Sequence, residues 1–276
     1  RNDNENCGRC GNRCTADRLC YAGMCVAPCA LGETRCPTGT CANLYTSATN
    51  CGACGTACPS TTPNCYHGRC TATALPTRYT VTAMPPMEVA FIDACAAAGA
   101  TRVLEGMDDG NVAVPVPFGF RFFTTDVPPG FLANVTTNGY INLDGTSTSL
   151  SSLFLGSSTV PNSIIAVRMG NLATVGPVCI ATVGAAPNRK WMVEWSDARE
   201  RSGTTSTGNL VFESIVSEGT DTVDFVFQRM DAAISHYSGL ESSTGTVTAL
   251  GCPLATGTLT SFCTPAVGTR VRFTPM

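Results

Sequence analysis

The chain has 276 residues, a formal net charge of −3 and only 13% charged side chains. It therefore lacks the basic field that nucleic acid or an anionic membrane surface requires, and no run reaches the roughly 18–20 apolar residues of a spanning helix. Its weakly charged Ser, Thr, Gly and Ala surface is of the kind common in exported bacterial proteins. With no signal peptide and a first residue of Arg, it reads as a processed or trimmed product.

The cysteines divide the chain. Of 17, thirteen lie in residues 1–70: Cys7, Cys10, Cys14, Cys20, Cys25, Cys29, Cys36, Cys41, Cys51, Cys54, Cys58, Cys65 and Cys70. That segment has no Phe, Ile or Trp, and its larger apolar side chains are only Leu19, Tyr21, Met24, Val26, Leu31, Leu44, Tyr45 and Tyr66. So little apolar material cannot hold a fold, and crosslinks or metal must do so. Cys7, Cys10, Cys14, Cys20 and Cys25 align with Cys51, Cys54, Cys58, Cys65 and Cys70, with one extra residue between the third and fourth cysteines of the second copy. Asn6 aligns with Asn50, Gly8 with Gly52, Gly11 with Gly55 and Gly23 with Gly68, so spacing and punctuation agree and the segment is an internal repeat. Residues 1–28 are a partial copy and 29–70 a complete one, since Cys29, Cys36 and Cys41 precede only the second cluster; the partners of the missing trio are expected before Arg1. Disulfides are the favoured state. Zinc held by the C-x2-C pairs is the alternative, opposed by uneven spacing and the lack of a nearby His pair. A redox role for "CGRC" or "CGAC" lacks the βαβ setting it needs. Which cysteine joins which is not legible from spacing.

"NCGRCGNRCTADRLCYAGMC" and "CANLYTSATNCGACGTACPSTTPNCYHGRC" resemble the cysteine-rich repeats of the plant stigma-specific protein family and the related arrays in secreted proteins of myxobacteria. The resemblance rests on the N-C-G-x-C-G-x-x-C core and the terminal C-x2-G-x-C; the adjacent cysteine pair common in plant members is absent. It implies an extracellular, disulfide-bonded, non-catalytic module and transfers no catalytic residue.

Residues 71–78 read as a linker, and 79–276 as an all-β antiparallel sandwich, so that the fold class is small disulfide-rich repeats followed by that sandwich. "EVAFIDACAAAG" (88–99) suits a short helix or a packed edge. In "VAVPVPFGFRFF" Val112, Val114, Val116, Phe118, Phe120 and Phe122 share a face, while Pro115 and Pro117 on the other mark an edge or bent strand. "KWMVEW" sets Trp191, Val193 and Trp195 against Lys190, Met192 and Glu194; "LVFESIV" follows; "TVDFVFQ" points Val223, Phe225 and Phe227 inward; "TRVRF" does so with Val271 and Phe273. Turn signals separate these runs at 107–111, 137–140, 143–146 and 217–221, with Asn138-Gly139 and Asp144-Gly145 suited to tight hairpins. Cys252 and Cys263 are close enough to staple a terminal loop, which leaves Cys95 and Cys179 for each other.

"VPFGFRFFTT", "VTTNGYINL", "APNRKWMVEWSDAR", "LVFESIVSEGTDTVDFVFQ" and "SGLESSTG" resemble a β-rich domain of large secreted bacterial proteins, distantly similar to the nidogen-type extracellular domain of animals. The resemblance spans roughly residues 79–273, and its most specific piece is the W-x-V-E-W strand with the E-G-T hairpin. It implies an accessory or adhesive part of a secreted protein, with no active site to carry over.

Residues that could carry chemistry are few. His67 and His236 are the only histidines, and neither adjoins a nucleophile motif. Asp108, Asp109 and Asn111 in "DDGN" are candidate calcium ligands; an Asx-rich turn is favoured over them because the EF-hand spacing is absent. Trp191 and Trp195 would form a ligand platform for sugar if exposed, but alternation with polar residues favours the core. No cofactor is expected. The sequence reads as a non-enzymatic extracellular structural or adhesion protein, with a subunit of a surface or secreted fibre as one form of it. Its expected partners are copies of itself, other extracellular proteins or surface glycans, at a secreted or cell-surface location. The alternatives are a carbohydrate-binding accessory module of a larger secreted enzyme and a hydrolase whose site is not visible in sequence.

Overall fold

In the computed structural model the described residues are 2–84, 90–146, 155–156, 160–231, 236–249, 252–253, 259–260, 262–263 and 267–276; for 249, 252–253, 259–260 and 262–263 this covers the backbone alone. They form two compact units, Arg1–Leu75 and Pro76–Met276. Among them there is no helix, and all strand pairing is antiparallel. The boundary between the units falls inside the stretch 71–78 read as a linker.

The first unit is built from three hairpins: β1 (Leu19–Tyr21) with β2 (Met24–Val26), β3 (Thr34–Arg35) with β4 (Cys41–Ala42), and β5 (Asn64–Tyr66) with β6 (Arg69–Thr71). "CYAGMC" and "CYHGRC" are the first and third of these. Their two-residue turns place Ala22 and Gly23 at φ 49° and 83°, and His67 and Gly68 at φ 50° and 71°, the left-handed pair that matches the twist of a tight hairpin.

The second unit contains β7 (Tyr79–Ala83), β8 (Thr101–Val103), β9 (Asn111–Pro115), β10 (Phe120–Phe122), β11 (Thr125–Val127), β12 (Leu132–Thr136), β13 (Tyr140–Asn142), β14 (Ile164–Met169), β15 (Leu172–Thr174) and β16 (Val178–Val183). It continues with β17 (Lys190–Ser202), β18 (Thr205–Ser217), β19 (Val223–Met230), β20 (His236–Glu241), β21 (Val247–Ala249), β22 (Cys252–Pro253), β23 (Leu259–Thr260), β24 (Phe262–Cys263) and β25 (Arg270–Pro275). One sheet runs β21-β20-β14-β13-β12-β9, with β24 also on β20; the other runs β7-β25-β19-β18-β17-β16-β8, with β15 also on β17. The expected edge strand at "NVAVP" is indeed terminal in its sheet, where Pro115 removes no ladder bond from a central position.

Between the sheets lies a single apolar layer. Val135, Ile141, Ile165, Val167 and Leu240 come from one side, and Trp191, Val193, Trp195, Phe212, Phe225 and Phe273 from the other. Two polar contacts tie the sheets across this layer. The Trp195 indole N–H donates to the Thr136 carbonyl at 2.8 Å, and Arg168 of β14 pairs with Glu200 of β17, both side chains buried. β17 and β18 are the longest strands, joined by a two-residue turn at Gly203-Thr204 that carries no strong sequence signal. The Asn138-Gly139 turn joins β12 to β13, and a Cβ on Gly139 would strike the Arg168 carbonyl. Asp144-Gly145 is not a tight hairpin: β13 pairs with β14, which begins only at Ile164.

Only Lys190 of the polar side of "KWMVEW" is exposed. Met192 is 0% and Glu194 3% exposed, because residues 91–100 cross the outer face of the larger sheet as a strap of turns, placing Phe91, Ile92 and Ala94 against Met192, Ile215 and Val226. The described part of "EVAFIDACAAAG" is thus a packed covering segment.

Replacing Trp195 by Phe keeps most of the apolar area but leaves the buried Thr136 carbonyl without its donor. The expected loss is about 1–3 kcal/mol of unfolding free energy, read from denaturant titration. An unchanged midpoint would mean that this tie contributes nothing.

Candidate functional site

Six disulfides hold the first unit: Cys7–Cys20, Cys14–Cys25, Cys29–Cys41, Cys36–Cys54, Cys51–Cys65 and Cys58–Cys70. The first two repeat as the last two, in the register that the sequence alignment sets. The remaining motif residues have structural work in both copies. The Asn6 side-chain oxygen accepts from Gly11 N at 2.9 Å, and that of Asn50 from Gly55 N at 2.8 Å. Cys7 N donates to Asn12 O at 2.8 Å, and Cys51 N to Thr56 O at 2.7 Å. A Cβ on Gly8 would fall on the carbonyl of Gly23, and one on Gly52 on that of Gly68, so only glycine lets the cluster turn lie against the hairpin turn. The C-x2-C pairs are not internal disulfides, since Cys7 and Cys51 bond forward to Cys20 and Cys65. Clusters with metal-like spacing, such as Cys51, Cys58 and Cys65, have their sulfurs in bridges rather than as thiolates. Cys10, exposed, is the one cysteine outside a bridge among those whose side chains are described, and its repeat counterpart Cys54 bonds Cys36.

In the second unit the W-x-V-E-W strand and the E-G-T turn meet. Just before β17, the Arg189 guanidinium donates to both oxygens of Glu218 at 2.9 and 2.7 Å, its backbone N–H adds a third bond at 3.1 Å, and its plane lies 5.3 Å from the centre of Phe118. The Glu218 side chain is 3% exposed. Gly219 at φ 78° and Asp221 at φ 53° shape the turn that presents it.

Residues 79–275, well over half of the chain, match the sequence model described as NIDO related. The chain belongs to the NIDO-related family. No curated protein and no solved structure matches it. Membership and seven disulfides among the described residues fit an extracellular location.

The NIDO-related unit places the sequence candidates as follows. Trp191 and Trp195 are 1% and 0% exposed, and Trp195 stacks on Phe212 at 5.0 Å. Both rings point between the sheets, in the core placement that period-two alternation favours, and neither offers an exposed face as a sugar platform. Asp108 forms an ion pair with Arg201 at 2.7 Å, Asp109 accepts from the Asn138 amide at 2.8 Å, and Asn111 opens β9. These two carboxylates are thus engaged by the protein's own donors. Cys95 bonds Cys179. The Cys252–Cys263 pairing concerns side chains outside the described residues. His67 stacks near Tyr66, centres 4.2 Å apart, and His236 is buried in β20 at 2% exposure.

Three features escape the sequence. An open groove of about 320 Å³ between β8 and β9 is lined by Thr101, Val103, Val112, Val114, Ile180 and Trp191. Arg168, inside the apolar run "SIIAVRM", is desolvated enough that its guanidinium falls to about 10; an arginine in such a run is itself the signal of a buried partner. Glu241 is raised by burial, although Gly156 N donates to it. No helix among the described residues is long and apolar enough to cross a membrane.

Arg189→Met strands the buried Glu218 carboxylate. It should lower stability by about 1–3 kcal/mol, and the Arg189→Met/Glu218→Gln double variant should recover part of that loss in a double-mutant cycle. Additive losses measured by denaturant titration would contradict the coupling.

Proposed function

We propose that this chain is a non-enzymatic extracellular structural or adhesion protein, in which the cysteine repeats serve as a covalently braced spacer and the NIDO-related unit as a contact surface. The observation that carries this reading is the use of the motif residues. The Asn, Gly and paired Cys positions of the repeat, and the Trp and Glu positions of W-x-V-E-W and E-G-T, are all engaged in holding backbone or core. Among the described residues His236 is buried in β20 and His67 packs against Tyr66. The repeat spacing supports the kinship with stigma-specific-like arrays of secreted proteins, a braced module of the same kind.

The fibre form of this reading draws on Cys10. Its counterpart Cys54 bonds Cys36 within the complete repeat, so the repeat fold offers a disulfide at this position, and a cysteine of a neighbouring chain standing in for the Cys36 equivalent is the partner we assign to it in a fibre. The carbohydrate-binding reading loses its main support with the burial of both tryptophans.

Native secreted material should migrate as disulfide-linked species that collapse to single chains on reduction, and Cys10→Ser should abolish them. Micrographs should show subunits repeating along a filament. Single chains in every lane, together with sugar-specific signals on a glycan array, would instead favour the accessory lectin.

A further inference from the structure

The strap of residues 91–100 is fastened to the outer face of the larger sheet in three ways. Apolar side chains of the strap meet Met192, Ile215 and Val226. The Cys95–Cys179 disulfide ties it to β16. Two carboxyl groups, Glu194 on β17 and Glu213 on β18, take its backbone amides: Ala94 N donates to Glu194 at 2.7 Å, Cys95 N to the same oxygen at 3.4 Å, and Ile92 N to Glu213 Oε1 at 3.0 Å.

These two acids are directly opposed in the β17–β18 ladder and share the covered face. They are 3% and 0% exposed, and the second oxygen of Glu213 is buried without a hydrogen-bond partner. The ionisable groups around them are Asp93 on the strap, Arg102 on β8, Lys190 on β17 and Arg270 on β25. On the same face Asp224 of β19 is already neutralised by Arg272 at 2.7 and 2.9 Å. Among the described residues neither Glu194 nor Glu213 forms an ion pair with these cations, so a doubly ionised pair would place two like charges in a desolvated layer.

We propose that the strap is a proton-held latch: a proton retained by the Glu194–Glu213 pair seats residues 91–100 on the sheet, and its loss releases them while Cys95–Cys179 keeps them tethered. Released, the strap uncovers an apolar face formed by Ala181, Met192, Ile215 and Val226, with the disulfide limiting how far it travels.

The direction of the effect follows from linkage. Burial is the main cause that pushes Glu213 up to about 8, and it raises Glu194 too. In the released state both acids would titrate near the ordinary 4.5. The seated strap therefore holds more protons than the released one between these values. Its advantage is complete below the ordinary value and is lost as pH rises through about 8.

Hydrogen exchange of the intact, oxidised protein, corrected for intrinsic rates, tests this. From pH 6 to pH 9 the amides of Ile92, Ala94 and Cys95 should lose about a hundredfold in protection, roughly tenfold for each unit between pH 6 and the value of about 8 and little beyond it, while those of β18 and β19 stay level. Glu213→Gln, which keeps an acceptor for Ile92 N without a titrating charge, should hold the strap protected at pH 9. Glu194→Gln, which removes the like charge but leaves Glu213 buried, should lessen the loss without abolishing it, and serves if Glu213→Gln does not fold. Equal wild-type protection at both pH values, or an unaltered pH response in a folded variant, would overturn the latch.

Discussion

The first unit depends on a shortage. A segment of about seventy residues without Phe, Ile or Trp cannot gather enough apolar area to offset the entropy of ordering its backbone, which is of order 1–2 kcal/mol per residue. Disulfides act on the other side of that balance by restricting the unfolded chain, each by roughly 3 kcal/mol for loops of this length. Six bridges with sequence separations of 11 to 18 residues therefore stand where a core would be. The conserved-looking punctuation of the two copies follows from bringing the cysteines together: Gly8 and Gly52 let two turns touch, and Asn6 and Asn50 close the cluster loop.

The NIDO-related unit solves the opposite problem. It has ample apolar material and must choose which faces to cover. Its central strand β17 is buried on both sides, with Trp191, Val193 and Trp195 toward the second sheet and Met192 and Glu194 toward the strap. Polar groups inside such a structure are tolerated only where partners wait for them. Trp195 finds Thr136, Arg168 finds Glu200, and Glu218 finds Arg189. The Glu194–Glu213 pair is different in kind, because its partners are backbone amides of a covering segment and a proton.

Much of this was legible from period-two alternation. The inward set of Trp191, Val193, Trp195, Val223, Phe225, Phe227, Val271 and Phe273 follows from it directly, as does the edge position of the Pro115 strand. Alternation describes one face, however, and cannot say what lies on the other. Glu194 falls on the polar side of "KWMVEW", and only a segment a hundred residues earlier in the chain makes its position dry. The disulfide pattern was closed to sequence reasoning for a related reason: spacing limits which cysteines can meet, but the turns decide which do. Asp144-Gly145 carried a hairpin signal because local turn chemistry does not reveal a long connection beyond it.

Function follows from what the side chains are already doing. A repeat whose Asn, Gly and paired Cys positions serve its own bridges and turns is suited to spacing and bracing, and a two-sheet unit with its aromatics inside is suited to contact through its edges and loops. The most direct measurement is non-reducing peptide mapping of the native protein by mass spectrometry. The account requires Cys7–Cys20 and Cys14–Cys25 in the first copy and Cys51–Cys65 and Cys58–Cys70 in the second, the same pairing twice. Different partners in the two copies, or reduced thiols with zinc bound in stoichiometric amount, would contradict it.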